Sequence, residues 1–145
     1  MFVMSKKTIS FRDFLTINYN LMHMSDTWAD LWELIFYTRL SAGRLLSLRY
    51  DDIDGCSIMI REPGHLKVLK VELSLPAMAM IDRRKKRYPE DIFLFQSHSN
   101  RVKYECRPVT LIAFNSALRQ AAKSLPDVNV SSSSAKNISG VPPSP

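Results

Sequence analysis

Apolar residues near the start of the chain recur every three or four positions, the spacing that places them on one face of an α-helix. The pattern runs through FRDFLTINYNLMHM, where Ser10 stands at the N-cap and Asp13 in the place of a capping-box acid. The predicted stripe, with one polar interruption, consists of Phe11, Phe14, Leu15, Asn18, Leu21 and Met22. The first element is therefore predicted to be an amphipathic helix.

A denser apolar pattern follows in TWADLWELIFYTRL and predicts a second helix that begins after Ser25 or Asp26. This density indicates a central, heavily buried helix whose two tryptophans belong to the core. A short third helix is predicted in SAGRLLSLRY, with the joint at Ser41 or near Gly43. The apolar positions of the second helix are Trp28, Leu31, Trp32, Ile35, Phe36 and Leu40.

The apolar period changes from helical to strand-like after the turn-rich segment DDIDG. CSIMIRE and KVLKVELSL are rich in β-branched and aliphatic residues, and Pro63-Gly64 between them is a turn signal, so an antiparallel hairpin is predicted. The second run is predicted to place alternate residues on two faces, namely Val68, Lys70 and Glu72 against Leu69, Val71 and Leu73.

The remaining segments predict two helices around a short extended stretch. Pro76 at the first helical position opens PAMAMIDRRKKRY, whose cationic end suits the negative pole of the helix dipole. DIFLF is predicted to be a short buried strand or extended segment, and RPVTLIAFNSALRQAAKSL a helix. One side of that helix is predicted to carry Val109, Ile112, Ala113, Ser116, Ala117 and Ala121.

These elements predict a mainly helical α+β domain with one small antiparallel sheet over residues 1–126, followed by a Ser/Pro-rich flexible tail over residues 127–145. The net charge of +6 favours a polyanionic partner, because Lys and Arg beside phosphates release condensed counterions. Cys56 and Cys106 form no CxxC or Cys/His cluster and fit free thiols in a reducing compartment. The sequence has no secretory signal or membrane-length apolar run, so a cytoplasmic protein without a membrane partner is expected.

Four segments, LLSLRYDDID, LSLPAMAMI, PEDIFLFQS and RPVTLIAFNSALRQAA, resemble the catalytic domain of tyrosine recombinases of the phage-integrase type. The resemblance covers about residues 28–140 and lies in the order and spacing of apolar segments. It implies a tyrosine recombinase catalytic-domain-like fold. Members of that family cleave DNA with a tyrosine nucleophile, while two arginines, a lysine and one or two histidines stabilise the scissile phosphate. Preorganised cations are needed there because negative charge develops on the phosphoryl oxygens.

The resemblance places an uncharged residue where the family carries its first catalytic arginine. That arginine lies eleven positions before the aspartate that Asp52 matches, and Ser41 occupies the place. A serine hydroxyl cannot form the bidentate phosphate contact of a guanidinium. Arg39 and Arg44 lie about 200° and 300° around a helix from Ser41, so neither simply replaces it.

The other catalytic positions are also altered. The family lysine falls in the turn EPGHLK, where Gly64 stands; Lys67 follows as a candidate phosphate contact, and His65 is interpreted as a turn residue. None of the five tyrosines occupies the place of the nucleophile. The family's histidine-x-leucine-arginine motif falls on Ser133, Ala135 and Lys136. We therefore expect no enzymatic activity.

The predicted role is that of a catalytically inactive, integrase-like protein of a bacterial mobile element, which binds double-stranded DNA or a DNA-bound partner. The alternatives are a protein-interaction module, which self-associates or takes a partner helix in an exposed groove, and a remnant site-specific recombinase. Asp51, Asp52 and Asp54 are interpreted as capping and turn residues, so neither a metal nor a cofactor is expected. The candidate DNA-binding residues are Arg39, Arg44, Lys67, Arg83, Arg84, Lys85, Lys86, Arg87, Arg101 and Lys103.

Overall fold

The structure is a computed structural model and describes residues 9–61, 68–98, 106–125, 129–136 and 138–139. The chain forms two compact units, one from residues 1–41 and 112–145 and the other from residues 42–111. The predicted class is confirmed, since the described residues are mainly helical and include one small antiparallel sheet.

The first unit begins with β1 (Ile9–Ser10), α1 (Phe11–Met24) and α2 (Asp26–Thr38). α5 (Leu111–Ala121) belongs to this unit from Ile112 onward. A 3-10 helix (Ser134–Lys136) and β5 (Ile138–Ser139) follow it. β1 and β5 pair in parallel, with Ile9 opposite Ile138.

Serine caps begin both N-terminal helices, as the sequence predicts. The Ser10 hydroxyl accepts a hydrogen bond from the backbone N–H of Asp13 at 3.0 Å. The Ser25 hydroxyl accepts one from the N–H of Thr27 at 3.2 Å. Each bond satisfies a backbone donor that has no partner within the helix.

The core of the first unit is aromatic. Trp32 is fully buried and stacks on Phe14 with ring centroids 5.4 Å apart, while its Nε1 donates to the Phe14 carbonyl at 3.2 Å. Trp28 is half-buried and stacks on Phe114. The assignment to the core is therefore confirmed for Trp32, whereas Trp28 lies at the edge of the core.

The apolar stripes predicted for α1 and α5 are only partly buried. Leu15 and Met22 of α1 are exposed, and Ile17 is buried in their place. In α5, Ile112 is 83% exposed, and Ala113 and Ser116 are also exposed. Large side chains four residues apart fix the inner side of α5, whose buried residues are Phe114, Ala117, Leu118 and Ala121.

Part of the serine-rich segment after residue 126 is packed, which differs from the predicted flexible tail. Val130, Ser134 and Ala135 are buried. The Ser134 hydroxyl accepts from the N–H of Ser131 at 2.9 Å, and Asn115 Oδ1 accepts from the N–H of Ser132 at 3.1 Å. The boundary at residue 126 stays a prediction.

The second unit contains α3 (Ala42–Leu46), a 3-10 helix (Tyr50–Asp52) and a three-stranded sheet. The sheet order is β2 (Ile53–Asp54), β3 (Ser57–Arg61) and β4 (Val68–Glu72), with antiparallel pairs throughout. The β3–β4 hairpin confirms the prediction, whereas β2 was not predicted. Residues 62–67, which include the predicted turn, lie outside the described residues.

The two predicted faces of β4 differ little in burial at the start of the strand. Val68 and Leu69, which point to opposite faces, are 46% and 44% exposed. Val71 is only half-buried, and burial begins at Leu73 after the strand. Alternation of residue types alone does not bury a strand unless another layer covers one of its faces.

α4 (Leu75–Arg87) begins one residue before the predicted start, because the Ser74 hydroxyl accepts from the N–H of Ala77 and acts as the cap. The DIFLF segment buries Leu94 and Phe95 completely, and both residues lie in a turn rather than in a strand. Leu94 donates its N–H to the Leu48 carbonyl at 3.0 Å. The predicted burial is confirmed for these two residues, whereas the predicted extended conformation is wrong at the turn.

Candidate nucleic-acid interface

The cationic end of α4 was predicted to bind DNA through five consecutive residues, but Arg84 is fully buried. Its Nε donates to the Leu94 carbonyl at 3.0 Å. Its guanidinium lies over the rings of Tyr88 and Phe95, 5.3 and 5.4 Å from their centroids. A side chain with no exposed surface cannot contact a phosphate, so the structure corrects this assignment and gives Arg84 a structural role.

The aromatic layer over Arg84 continues beyond Tyr88. The Tyr88 ring stacks on His98 with centroids 4.3 Å apart, and His98 Nε2 lies 2.7 Å from Oδ2 of the buried Asp91. Arg84 therefore connects the end of α4 to the DIFLF segment. This contact fixes the position of the helix end that carries the exposed cations.

The four residues around Arg84 in the run, Arg83, Lys85, Lys86 and Arg87, are exposed. Lys86 forms an i,i+4 ion pair with Asp82 at 3.0 Å. Lys85 Nζ lies 4.6 Å from the centroid of the Tyr50 ring, and the Arg87 guanidinium lies 5.4 Å from that of Tyr88. With Arg83, these residues form a positively charged surface, for which DNA binding stays a prediction.

Arg39 joins two parts of the first unit. Its Nη1 donates to the backbone carbonyls of Ala135 and Lys136 at 3.3 and 3.0 Å, and its guanidinium lies over the Phe36 ring. Its backbone is left-handed, with a φ of 59°, which is uncommon for a residue other than glycine. These contacts show that Arg39 holds the segment in which the sequence resemblance places the last catalytic motif.

Arg39→Ala should destabilise the 3-10 helix at Ser134–Lys136 by about 1 kcal/mol, because two backbone carbonyls lose a charged donor at a partly exposed site. Hydrogen exchange should then become faster at the amides of Ser134 and Lys136, which bond to Ser131 and Ser133. Arg12→Ala, at another exposed arginine of the same unit, is the control. Unchanged protection in Arg39→Ala would contradict this structural role.

The positions that the resemblance assigns to catalysis carry little charge. Ser41 is half-buried immediately before α3, and Ser133 is exposed with its hydroxyl 2.9 Å from that of Ser131. Lys136 ends the 3-10 helix and is half-buried. Five other predicted or considered residues lie outside the described residues, namely Gly64, His65, Lys67, Arg101 and Lys103.

An open cleft of about 520 Å³ in the second unit brings together arginines that sequence reasoning only partly identified. Arg44 was a candidate, whereas Arg49 and Arg61 were not. Arg49 follows the short helix α3, and Arg61 is the last residue of β3. Their proximity depends on how the strands pair, which the sequence pattern does not show. The cleft is lined by Arg44, Ser47, Leu48, Arg49, Asp51, Asp52, Met59, Ile60 and Arg61.

Asp52 has the capping role that the sequence predicts. Its Oδ2 accepts a hydrogen bond from the backbone N–H of Arg49 at 3.0 Å, at the start of the 3-10 helix. Over the described ranges, no group of three or more His, Cys, Asp or Glu side chains is placed to hold a metal ion. No helix in the same ranges is long and apolar enough to cross a bilayer.

Comparisons with known proteins give matches in structure but not in sequence. No family model and no curated protein matches the chain. A lambda integrase dimer bound to a COC' core site is similar with a TM-score of 0.73 and 12% identity, over 96% of this chain and 52% of the other. A lambda integrase tetramer bound to a Holliday junction gives 0.74 and 12%, over 94% and 42%.

XerA recombinase gives a TM-score of 0.71 and 15% identity, over 94% of this chain and 49% of the other. The chain therefore spans about half the length of these three proteins. The folds correspond over nearly the whole chain although few residues are identical. This protein has a tyrosine recombinase catalytic-domain-like fold.

Proposed function

We propose that the protein binds double-stranded DNA, or a partner already on DNA, in a regulatory or accessory role and without cutting it. The likeness in fold carries the proposal, because the similar lambda integrase structures contain a core site or a Holliday junction. A net charge of +6 supplies attraction to phosphates. The proposed setting is the bacterial cytoplasm, with an origin in a mobile element.

The proposed lack of cleavage rests on the side chains at the positions that the resemblance assigns to catalysis. Ser41 and Ser133 offer hydroxyls, which carry no positive charge to meet the charge that develops on a reacting phosphate. Lys136 retains a point charge but not the planar fork of an arginine. A phosphate contacted by these residues would be bound without strong transition-state stabilisation.

A labelled duplex should bind the purified protein with micromolar or tighter affinity at low salt, and log K should fall linearly with log salt concentration. Fluorescence anisotropy measures this dependence. A nicked duplex that traps covalent intermediates should give no protein–DNA adduct on a denaturing gel. An adduct would contradict the proposed lack of cleavage, and the absence of binding at low salt would contradict the DNA-binding role.

A protein-interaction module is the second candidate, and the exposed side of α1 favours it. Leu15, Tyr19 and Met22 are 49%, 66% and 44% exposed and lie at positions i, i+4 and i+7. This spacing places them on one stripe of the helix, as in helices that dock into a groove. Sedimentation of the sample used for DNA binding distinguishes self-association from a monomer.

A further inference from the structure

The arginine cleft, defined as the cleft lined by Arg44, Arg49 and Arg61, combines three exposed guanidinium groups with a concave surface in one compact unit. Its volume of about 520 Å³ lies within the range of ligand-binding pockets. Its floor includes the buried side chains of Leu48 and Ile60, which belong to the packed part of the unit. The arginines are thus mounted on structured backbone.

Asp52 forms an ion pair with one of these guanidinium groups. Its Oδ1 lies 3.8 Å from Arg61 Nε, while its other oxygen accepts from the Arg49 backbone. A guanidinium has five N–H donors, so an approach through Nε leaves the four donors on the two Nη atoms for another acceptor. The Arg61 side chain is 76% exposed, so these donors are accessible.

A second guanidinium, that of Arg49, is supported by an aromatic ring. It lies over Phe93, 4.8 Å from the ring centroid. Stacking uses the face of the guanidinium plane and leaves its edge available for hydrogen bonds to a phosphate. The ring therefore restricts the side chain without occupying its donors.

The charges in the arginine cleft suit a singly charged ligand group. Three arginines and two aspartates, Asp51 and Asp52, line it, so its formal charge is 3 − 2 = +1. A phosphodiester in a nucleic-acid backbone carries one negative charge per phosphate. Asp51 is exposed and would repel an approaching anion, so its charge should lower the affinity of the cleft for phosphate.

We propose that the arginine cleft binds backbone phosphates of double-stranded DNA, with Arg49 and Arg61 as contacts and Asp52 as the residue that positions Arg61. This inference rests on the proposed DNA-binding function and assigns that function to a surface. It adds two contacts that charge clustering in the sequence did not indicate.

The test compares Arg49→Gln/Arg61→Gln with a matched control, Arg12→Gln/Arg119→Gln, which removes the same charge from exposed residues of the other unit. Anisotropy with a duplex of random sequence is recorded over a series of salt concentrations, after circular dichroism has shown that each variant is folded. The cleft variant should bind at least about tenfold more weakly at low salt. Its salt slope should fall by about 2, since each phosphate contact contributes about 0.9.

A further variant tests the sign of the charge effect. Asp51→Asn should strengthen binding by about two- to threefold, because it removes a negative charge beside the bound phosphate. Glu90→Gln, at an exposed acid of the same unit that does not line the cleft, should change binding less. A purely structural role of the cleft would not make Asp51→Asn bind more tightly than Glu90→Gln.

The outcomes separate the inference from the function on which it rests. If the unaltered protein binds DNA and the cleft variant keeps the affinity and slope of the control, the inference is overturned and the DNA-binding function stands. If the unaltered protein does not bind at low salt, both are overturned. A lower slope in the cleft variant alone supports the assignment of DNA binding to the arginine cleft.

Discussion

Replacing Arg84 by alanine is expected to lower the free energy of unfolding by about 3 kcal/mol, because a buried charged hydrogen bond and two cation–π contacts are lost together. The Leu94 carbonyl would lose its Arg84 donor, and the Tyr88 and Phe95 rings would face a cavity. Urea denaturation followed by circular dichroism measures the change.

Arg119→Ala, at an exposed arginine of α5, is the control and should change the free energy of unfolding by less than about 0.5 kcal/mol. The DNA affinity of an Arg84→Lys variant is measured as well. If this variant is folded, its affinity should be unchanged, because Arg84 is buried. Lysine keeps the charge but has neither the Nε donor nor the stacking plane. A stable Arg84→Ala protein with weakened DNA affinity would contradict the structural role and restore Arg84 to the DNA-binding surface.

Trp32→Ala should destabilise the protein by about 4 kcal/mol, the typical loss for a fully buried large aromatic residue. The variant removes the stack on Phe14 and the hydrogen bond from Nε1 to its carbonyl. Trp32→Phe keeps much of the packing and should cost about 1–2 kcal/mol, mainly through that hydrogen bond. Equal denaturation midpoints for the two variants would contradict this division between packing and hydrogen bonding.

The helices could be predicted from the sequence because their signals are local. Ser10 and Ser25 cap backbone groups two or three residues away, and these bonds form as expected. The side on which a helix is buried depends on its neighbours and was less predictable. Ile112 fits the apolar spacing of α5, yet it is 83% exposed because Phe114 and Leu118 face the interior.

The candidate site could be predicted less well than the fold, since charge runs do not report burial. RRKKR suggested five similar cations, but Arg84 finds its partners at Leu94 and Phe95, about ten positions later in the chain. Such pairing across loops leaves no periodic signal in the sequence. The arginine cleft was missed for the same reason, because strand pairing and chain reversal bring Arg61 beside Asp52.

Composition also gave an incomplete account of the serine-rich segment. A run of four serines followed by Lys136 resembles a linker, but Ala135 is fully buried and Arg39 binds the carbonyl groups there. Long-range hydrogen bonds offset the low hydrophobicity of this segment. The resemblance to tyrosine recombinases, in contrast, included this segment. It was based on the order and spacing of apolar segments and not on composition.

The pairing of β1 with β5 has a consequence for how the chain folds. Ile9 lies opposite Ile138, 129 positions further along the chain, whereas the hairpin pair closest to its turn, Arg61 and Val68, is separated by seven. Closing the longer loop requires a larger loss of chain entropy, so contact order favours early formation of the hairpin. During synthesis the second unit can become compact first, whereas β1 can pair only after β5 has left the ribosome.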